Sequence, residues 1–370
     1  MQSATGNHLL FTIHNSPLQY DYLVLGQGIC GSFISKYLLE KNATVLVIDN
    51  AQPYTASRVA SGVINPVTGR RIVTTWMIDE LMPFAISEYA NWGKELGIDL
   101  VNKLPILDFH PSLQMHTAFE ERLQSNDGYL YKVQGEELWK NYFHFYFGVG
   151  EVKPAYSINF HPLLIKWREE LKRRDILWEE DFSWNHFSHN ENKVHYKDIS
   201  VKKIICCEGA AAINNPYFNR LPFALNKGEV CIVSVPDLPR ENIYKQGITI
   251  VPFSENEDIF WIGSSYEWDY KNVQPSEGFR KKVIQQLDNW LKLPYKIEAQ
   301  WASERPANIE RRPFVGMHPV FKNIAILNGM GAKGTSLTPY FAKQFAHHLM
   351  DDRQGINPLV DIKRFTRILS

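Results

Sequence analysis

Apolar residues follow two rhythms in this chain, and the switch between them lays out its elements. From Asp21, DYLVLG is a continuous apolar run, GSFISKYLLEKN sets apolar residues at helical spacing, and ATVLVID is apolar again. Strand, helix and strand in about thirty residues make a compact βαβ unit. From Trp76 to about Phe147 the text is aromatic and helix-prone, with amphipathic EYANWGKELGI and FEERLQ, and the alternation stops. HPLLIKWREELKRRDI, from His161, carries an apolar stripe and a charged outer face, and leads through polar hairpin-like sequence to the strand VKKIICCEG. From Gly228, EVCIVSVP, ITIVPF and IFWIGSSYEW predict antiparallel strands, closed by the helix EGFRKKVIQQLDNWLKL. NIAILNG then reads as a short strand, and MGAKGTSLTPYFAKQFAHHLM as a glycine turn opening a helix.

Both ends of the chain thus read as strand, glycine turn, helix. The pattern predicts an α/β (α+β) fold: a Rossmann-like nucleotide domain from residues 20–75, 155–215 and 305–370, and an inserted antiparallel-sheet substrate domain from 76–154 and 216–304. Residues 1–19 read as an N-terminal extension.

Composition narrows the function classes. With 44% hydrophobic and 22% charged residues the chain is neither disordered nor fibrous. Forty basic residues against forty acidic ones supply no overall pull toward nucleic acid or anionic lipid. No segment has the basic start and apolar core of a leader, or the roughly 18 apolar residues of a membrane span, so a cytoplasmic location is expected. Cys30, Cys206, Cys207 and Cys231 form no CxxC pair and join no histidine cluster, so neither a metal site nor a redox role is expected of them.

Gly26, Gly28 and Gly31 satisfy G-x-G-x-x-G between a predicted strand and helix. The first glycine permits a tight turn, the second lets the backbone approach a pyrophosphate, and the third brings helix against strand. Asp49 ends the next strand, where an acid accepts from a ribose hydroxyl and disfavours a phosphorylated ribose. The same three glycines also suit an incidental turn, and alone they do not separate flavin from nicotinamide.

Further stretches bear on that choice: ASRVASGVIN soon after the ribose acid, IICCEGAAA, SERPANIERRPFVG and LNGMGAKGTSLTPY. In this order and spacing, from about Asp21 to about Met350, they resemble the FAD-dependent D-amino-acid oxidase superfamily, in the branch of glycine oxidase and sarcosine oxidase. The resemblance makes the nucleotide domain an FAD-binding domain. It implies Gly26, Gly28, Ile29, Cys30, Gly31 and Ser32 at the pyrophosphate, and Asp49 with Asn50 at the adenosine ribose. Ser57, Arg58, Ser61, Gly62, Val63 and Ile64 line the flavin, Phe182 offers its backbone to the adenine, and Cys207 and Gly209 close over the cofactor. Gly329, Gly331, Ala332, Lys333, Gly334 and Thr335 open a helix whose N–H groups face flavin N1 and O2. Lys333 adds a charge there or sits solvated at the helix end; the sequence leaves both open. Sarcosine oxidases attach FAD to a late cysteine, and this chain has none after Cys231, so noncovalent FAD is expected.

On the substrate side the resemblance gives Arg305 the substrate carboxylate, a task suited to a planar, permanently charged fork. The alternative is a structural arginine paired with Glu304 or Glu310, while Arg311 and Arg312 serve the surface. Met330 and Ala332 stand where glycine oxidase has a polar group, which counts against glycine itself as substrate. Trp261 stands where sarcosine oxidase has an oxygen-activating lysine, and it walls a side-chain pocket or packs in the core. Tyr244 and Tyr266 are further aromatic candidates, each also readable as ordinary packing. The implied reaction is oxidation of a C–N bond in a small amino acid or secondary amine to an imine, with FAD reoxidised by O2 to give hydrogen peroxide or by another acceptor. A tRNA wobble-uridine oxidase that removes a carboxymethyl group, and a flavin-binding protein without turnover, are the alternatives.

Overall fold

The computed structural model describes residues 17–69, 71–125, 128–254 and 257–370. The expected N-terminal extension falls almost wholly outside them, and the chain enters strand β1 at Leu18. β1 (Leu18–Leu25) runs parallel to β2 (Val45–Ile48) on one side and to Ile199–Cys206 on the other. Ile324–Asn328 continues the parallel set beyond Ile199–Cys206 and carries antiparallel Phe314–Met317. Leu177–Trp178 closes the other edge against β2. Parallel strands covered on both faces read as continuous apolar runs, which is why these were visible in the sequence. Along β1, Tyr22 and Val24 pack with the helices while Leu23 and Leu25 pack toward Phe218 and Ile362.

Helix α1 (Ile29–Glu40) lies close on this sheet because Gly31 has no side chain: a Cβ there would sit 1.8 Å from the Gly26 carbonyl oxygen. The terminal helix Gly334–Met350 and the long helix Ile78–Leu96 pack in the same layer.

A second eight-stranded sheet is ordered Lys296–Arg305, Asn226–Ser234, Ile259–Gly263, Ile248–Pro252, Ile243–Gln246, Ile106–Phe109, Val149–Val152, Leu130–Lys132. All its pairings are antiparallel except that of Ile243–Gln246 with Ile106–Phe109. One face buries Cys231, Tyr244, Ile250 and Phe260 under the helix Glu277–Trp290. The other turns Val230, Ile232, Val251 and Trp261 toward Val59 and Val67.

The sequence pattern missed several of these strands. Ile106–Phe109 is buried on both faces and shows no alternation, and its neighbours at 130–132 and 149–152 are too short to show one. Lys296–Arg305, KIEAQWASER, reads as polar because it is a sheet edge whose first half is wet.

Candidate active site

A cavity of about 590 Å³ opens at the carboxyl ends of β1, β2, Ile199–Cys206 and Ile324–Asn328, and runs to the inner face of the second sheet. That crevice is where open α/β sheets place their ligands, and the volume suits an organic cofactor or substrate.

Gly26, at φ 91°, turns the chain out of β1, and a Cβ there would come within 2.7 Å of the Cys207 carbonyl oxygen. Gly28 begins α1 with no side-chain cap, and the Ile29 N–H donates to Ser57 Oγ at 3.0 Å. Gly26, Gly28, Ile29 and Cys30 line the cavity. Gly31 and Ser32 do not: Gly31 is the close contact of helix with turn, and buried Ser32 accepts from Gln27 Nε2 at 3.3 Å.

Asp49 borders the cavity with its carboxylate already held. Oδ2 accepts the Gln27 N–H at 2.8 Å, and Oδ1 accepts Arg168 Nη1 at 2.6 Å and the Ala51 N–H at 2.9 Å. Arg168 also donates to Gln27 Oε1 and to Glu179 through both Nε and Nη2, so one buried guanidinium sets the turn and the acid together. Arg168 belongs to a helix whose charged residues are expected to face outward. Its spacing, four after Leu164 and three before Leu171, places it on the buried stripe instead. Asn50 donates to Asp181, and both line the far end beside Phe182, which stacks on Tyr196 at 4.4 Å.

Of the stretch expected at the flavin, Ser57 and Ser61 line the cavity, with Thr55, Ala56, Val59 and Ala60. Arg58 is half-buried off the wall, and burial lowers its pKa more than Asp49 raises it. Gly62, at φ 71°, meets the Ile158 backbone, and Val63 and Ile64 pair with Tyr156 and Ser157. These four therefore lie outside the wall.

The last glycine turn brings Met330, Gly331, Ala332, Gly334 and Thr335 to the cavity. Gly329, at φ 74°, sits behind them. Lys333 points away: Nζ donates to Thr75 Oγ1 at 3.2 Å, and burial, then Arg312 and Arg311, lowers its pKa. Arg311 is exposed, while the Arg312 guanidinium lies 4.0 Å over the Trp76 ring. Asn308 Nδ2 donates to both the Arg312 and Gly329 carbonyls, tying the arginine loop to the glycine turn.

Arg305, at the end of its strand and opposite Asn226, lies across Gly228 on the cavity wall. Nη1 donates to Asn226 Oδ1 at 2.6 Å and the Ser265 carbonyl at 3.2 Å, Nη2 donates to Ser264 Oγ at 2.8 Å, and the Tyr266 ring is 5.1 Å away. Among the described residues no carboxylate pairs with it. Glu304 accepts from the Tyr270 hydroxyl, and Glu310 is bridged to Arg364 at 2.9 Å. The pairing considered from sequence is therefore not made. Burial lowers the Arg305 pKa, in keeping with a half-buried cation.

Trp261 walls the cavity and donates Nε1 to the Val59 carbonyl at 2.8 Å. Tyr244 lies elsewhere: it faces the helix side of its sheet, packs 5.0 Å from Phe143, and donates to the Pro239 carbonyl. Its place on the opposite sheet face removes it from the substrate side. Among the wall residues that escaped the sequence reading are Gly228, Glu208 and Thr55. Glu208 accepts from Asn215 Nδ2 at 2.6 Å, and burial pushes its carboxyl up to about 7. Thr55 Oγ1 is buried without a hydrogen-bond partner. Cys207 and Gly209 line the wall, and burial raises the Cys30 thiol to about 12 and the Cys207 thiol well above its usual value.

A parallel sheet with a glycine turn and a helix N-terminus at its carboxyl end, facing an antiparallel sheet across one cavity, defines a dinucleotide-dependent enzyme architecture. The family described as FAD dependent oxidoreductase (DAO) matches residues 21–348, and the chain belongs to it. Among solved structures it is similar to glycine oxidase from Geobacillus kaustophilus, at 16% identity, covering 94% of this chain and 98% of that one, TM-score 0.77. It is also similar to iminodiacetate oxidase from Chelativorans sp. BNC1, at 16% identity, 93% and 98% coverage, TM-score 0.71. L-proline dehydrogenase from P. horikoshii aligns at 15% identity, 95% and 99% coverage, TM-score 0.72. FAD is the cofactor of this family. The cavity fits it: Gly28 opens α1 on the wall, and Thr55 Oγ1 is buried there without a hydrogen-bond partner. Among the described residues no helix is long and apolar enough to cross a membrane.

Proposed function

We propose that this protein oxidises the C–N bond of a small amino acid or secondary amine bearing a carboxylate, giving an imine that water hydrolyses. The observation that carries this is Arg305: a half-buried guanidinium on the cavity wall with no carboxylate partner among the described residues. Asn226, Ser264 and the Ser265 carbonyl hold the fork, so a carboxylate meets it pre-oriented and the amine end is directed toward the cofactor. Bound FAD would supply the two-electron acceptor, with O2 as the final oxidant that yields hydrogen peroxide. Gly26, Gly28, Ile29 and Cys30 would hold the diphosphate, the remaining capacity of the Asp49 carboxylate would take a ribose hydroxyl, and Gly331, Ala332, Gly334 and Thr335 would face the ring, without a covalent bond to the protein. Glycine, iminodiacetate and L-proline, named for the three similar structures, each place a carboxylate beside an amine, which supports the reading.

The test is an anaerobic screen of amino acids and secondary amines, following loss of flavin colour, and then peroxide formation in air. Arg305→Leu should retain FAD while KM for the best carboxylate substrate rises by the equivalent of about 2 to 4 kcal/mol. Unchanged kinetics in that variant, or no reduction by any amine, refutes the proposal.

A further inference from the structure

The segment SYEWDY, Ser265 to Tyr270, follows the strand Ile259–Gly263 and lies along the start of Asn226–Ser234, which pairs on its other side with the strand that ends in Arg305. Glu267 pairs with Lys227 through two backbone hydrogen bonds of 2.9 and 3.0 Å, so the residues on either side of it, Tyr266 and Trp268, leave the backbone on one side. Their rings meet edge to face at 5.5 Å. Tyr266 lines the cavity and covers the Arg305 guanidinium, yet Tyr266 and Trp268 remain 54% and 56% exposed. Few large aromatics among the described residues are exposed, so an exposed pair continuous with the cavity calls for an occupant. Two side chains offer far too little area for a protein partner. A flat ring, by contrast, fits the corner of one face and one edge through offset stacking and edge contact.

We propose that Tyr266 and Trp268 form a shelf for an aromatic or heteroaromatic ring, so that the preferred substrate is a carboxylate-bearing amine with a flat ring on its far end. This rests on Arg305 holding the carboxylate. The ring then lies beside the anchored carboxylate, against Tyr266 and Trp268.

The test titrates the FAD-loaded protein with acetate, cyclohexylacetate and phenylacetate, non-reacting probes whose binding shifts the visible flavin spectrum. Phenylacetate should bind about tenfold tighter than either of the others. Trp268→Ser should lose most of that preference and Trp268→Phe should recover it. The variants alter an exposed side chain, and the retained flavin spectrum reports their folding. Arg305→Leu should abolish binding of all three probes. If the acids bind through Arg305 but phenylacetate gains nothing over cyclohexylacetate, or keeps its gain in Trp268→Ser, the shelf is overturned and the carboxylate reading stands. If no acid binds, or binding survives in Arg305→Leu, the carboxylate reading falls and the shelf falls with it. With amines, N-benzylglycine should show a lower KM than N-methylglycine, and Trp268→Ser should raise that KM without lowering the limiting rate of flavin reduction.

Discussion

Gly228 is where one hydrogen atom decides the substrate side. A Cβ there would lie 2.0 Å from Arg305 Nη2 and 2.3 Å from Cζ, against the face of the guanidinium. Gly228→Ala should therefore displace Arg305, raising KM for a carboxylate substrate nearly as far as Arg305→Leu does. The strand should hold, since alanine is tolerated in an extended backbone, and thermal unfolding of the variant should show little loss. Steady-state kinetics beside a melting curve check both halves. Arg305 was legible because it stands in a recognisable ERP context, whereas Gly228 and Arg168 were not. Each acts through a partner far away in the chain, Gly228 under Arg305 and Arg168 on Asp49, and no local spacing announces such a pair.

At the scale of elements, the glycine turn and α1 act as one part. Gly31 lets the helix sit on the turn, and any side chain there must push against the Gly26 carbonyl, a backbone atom that cannot rotate away. Gly31→Ala should shift α1 off the sheet, cost about 1 to 3 kcal/mol of stability by overpacking, and yield protein purified largely without flavin. The ratio of visible to ultraviolet absorbance and the melting temperature read these effects separately. The βαβ unit, the last strand and turn, and the central antiparallel strands were legible, because long buried strands and glycine turns leave a strong pattern. The strands within 101–152 and the edge strand Lys296–Arg305 were not: three or four residues hold too little periodicity, and an edge with a wet face looks like loop. Tyr244 was misplaced for a related reason. A four-residue strand shows no alternation, and only register against Ile250 tells which face Tyr244 takes.

For the molecule as a whole, Glu208 links stability to pH. Its folded pKa, about 7, lies above the ordinary value of 4.5, so the folded protein holds a proton that the unfolded chain releases. The associated stability is fully present below about pH 4.5 and disappears as pH rises through about 7. The cavity leaves Glu208 some contact with water, which screens part of the effect. Melting temperatures of the flavin-free protein should thus fall relative to Glu208→Gln between pH 5 and 8, and parallel curves would exclude this linkage. The order of strands in the first sheet carries a further consequence, for biosynthesis. β1 emerges first, yet its inner neighbour comes from residues 199–206, and that strand's own partner from 324–328. A ribosome therefore translates nearly the whole sequence before the dinucleotide crevice has both walls. Until then the nascent chain exposes unpaired apolar strand edges, which makes cofactor capture a late event.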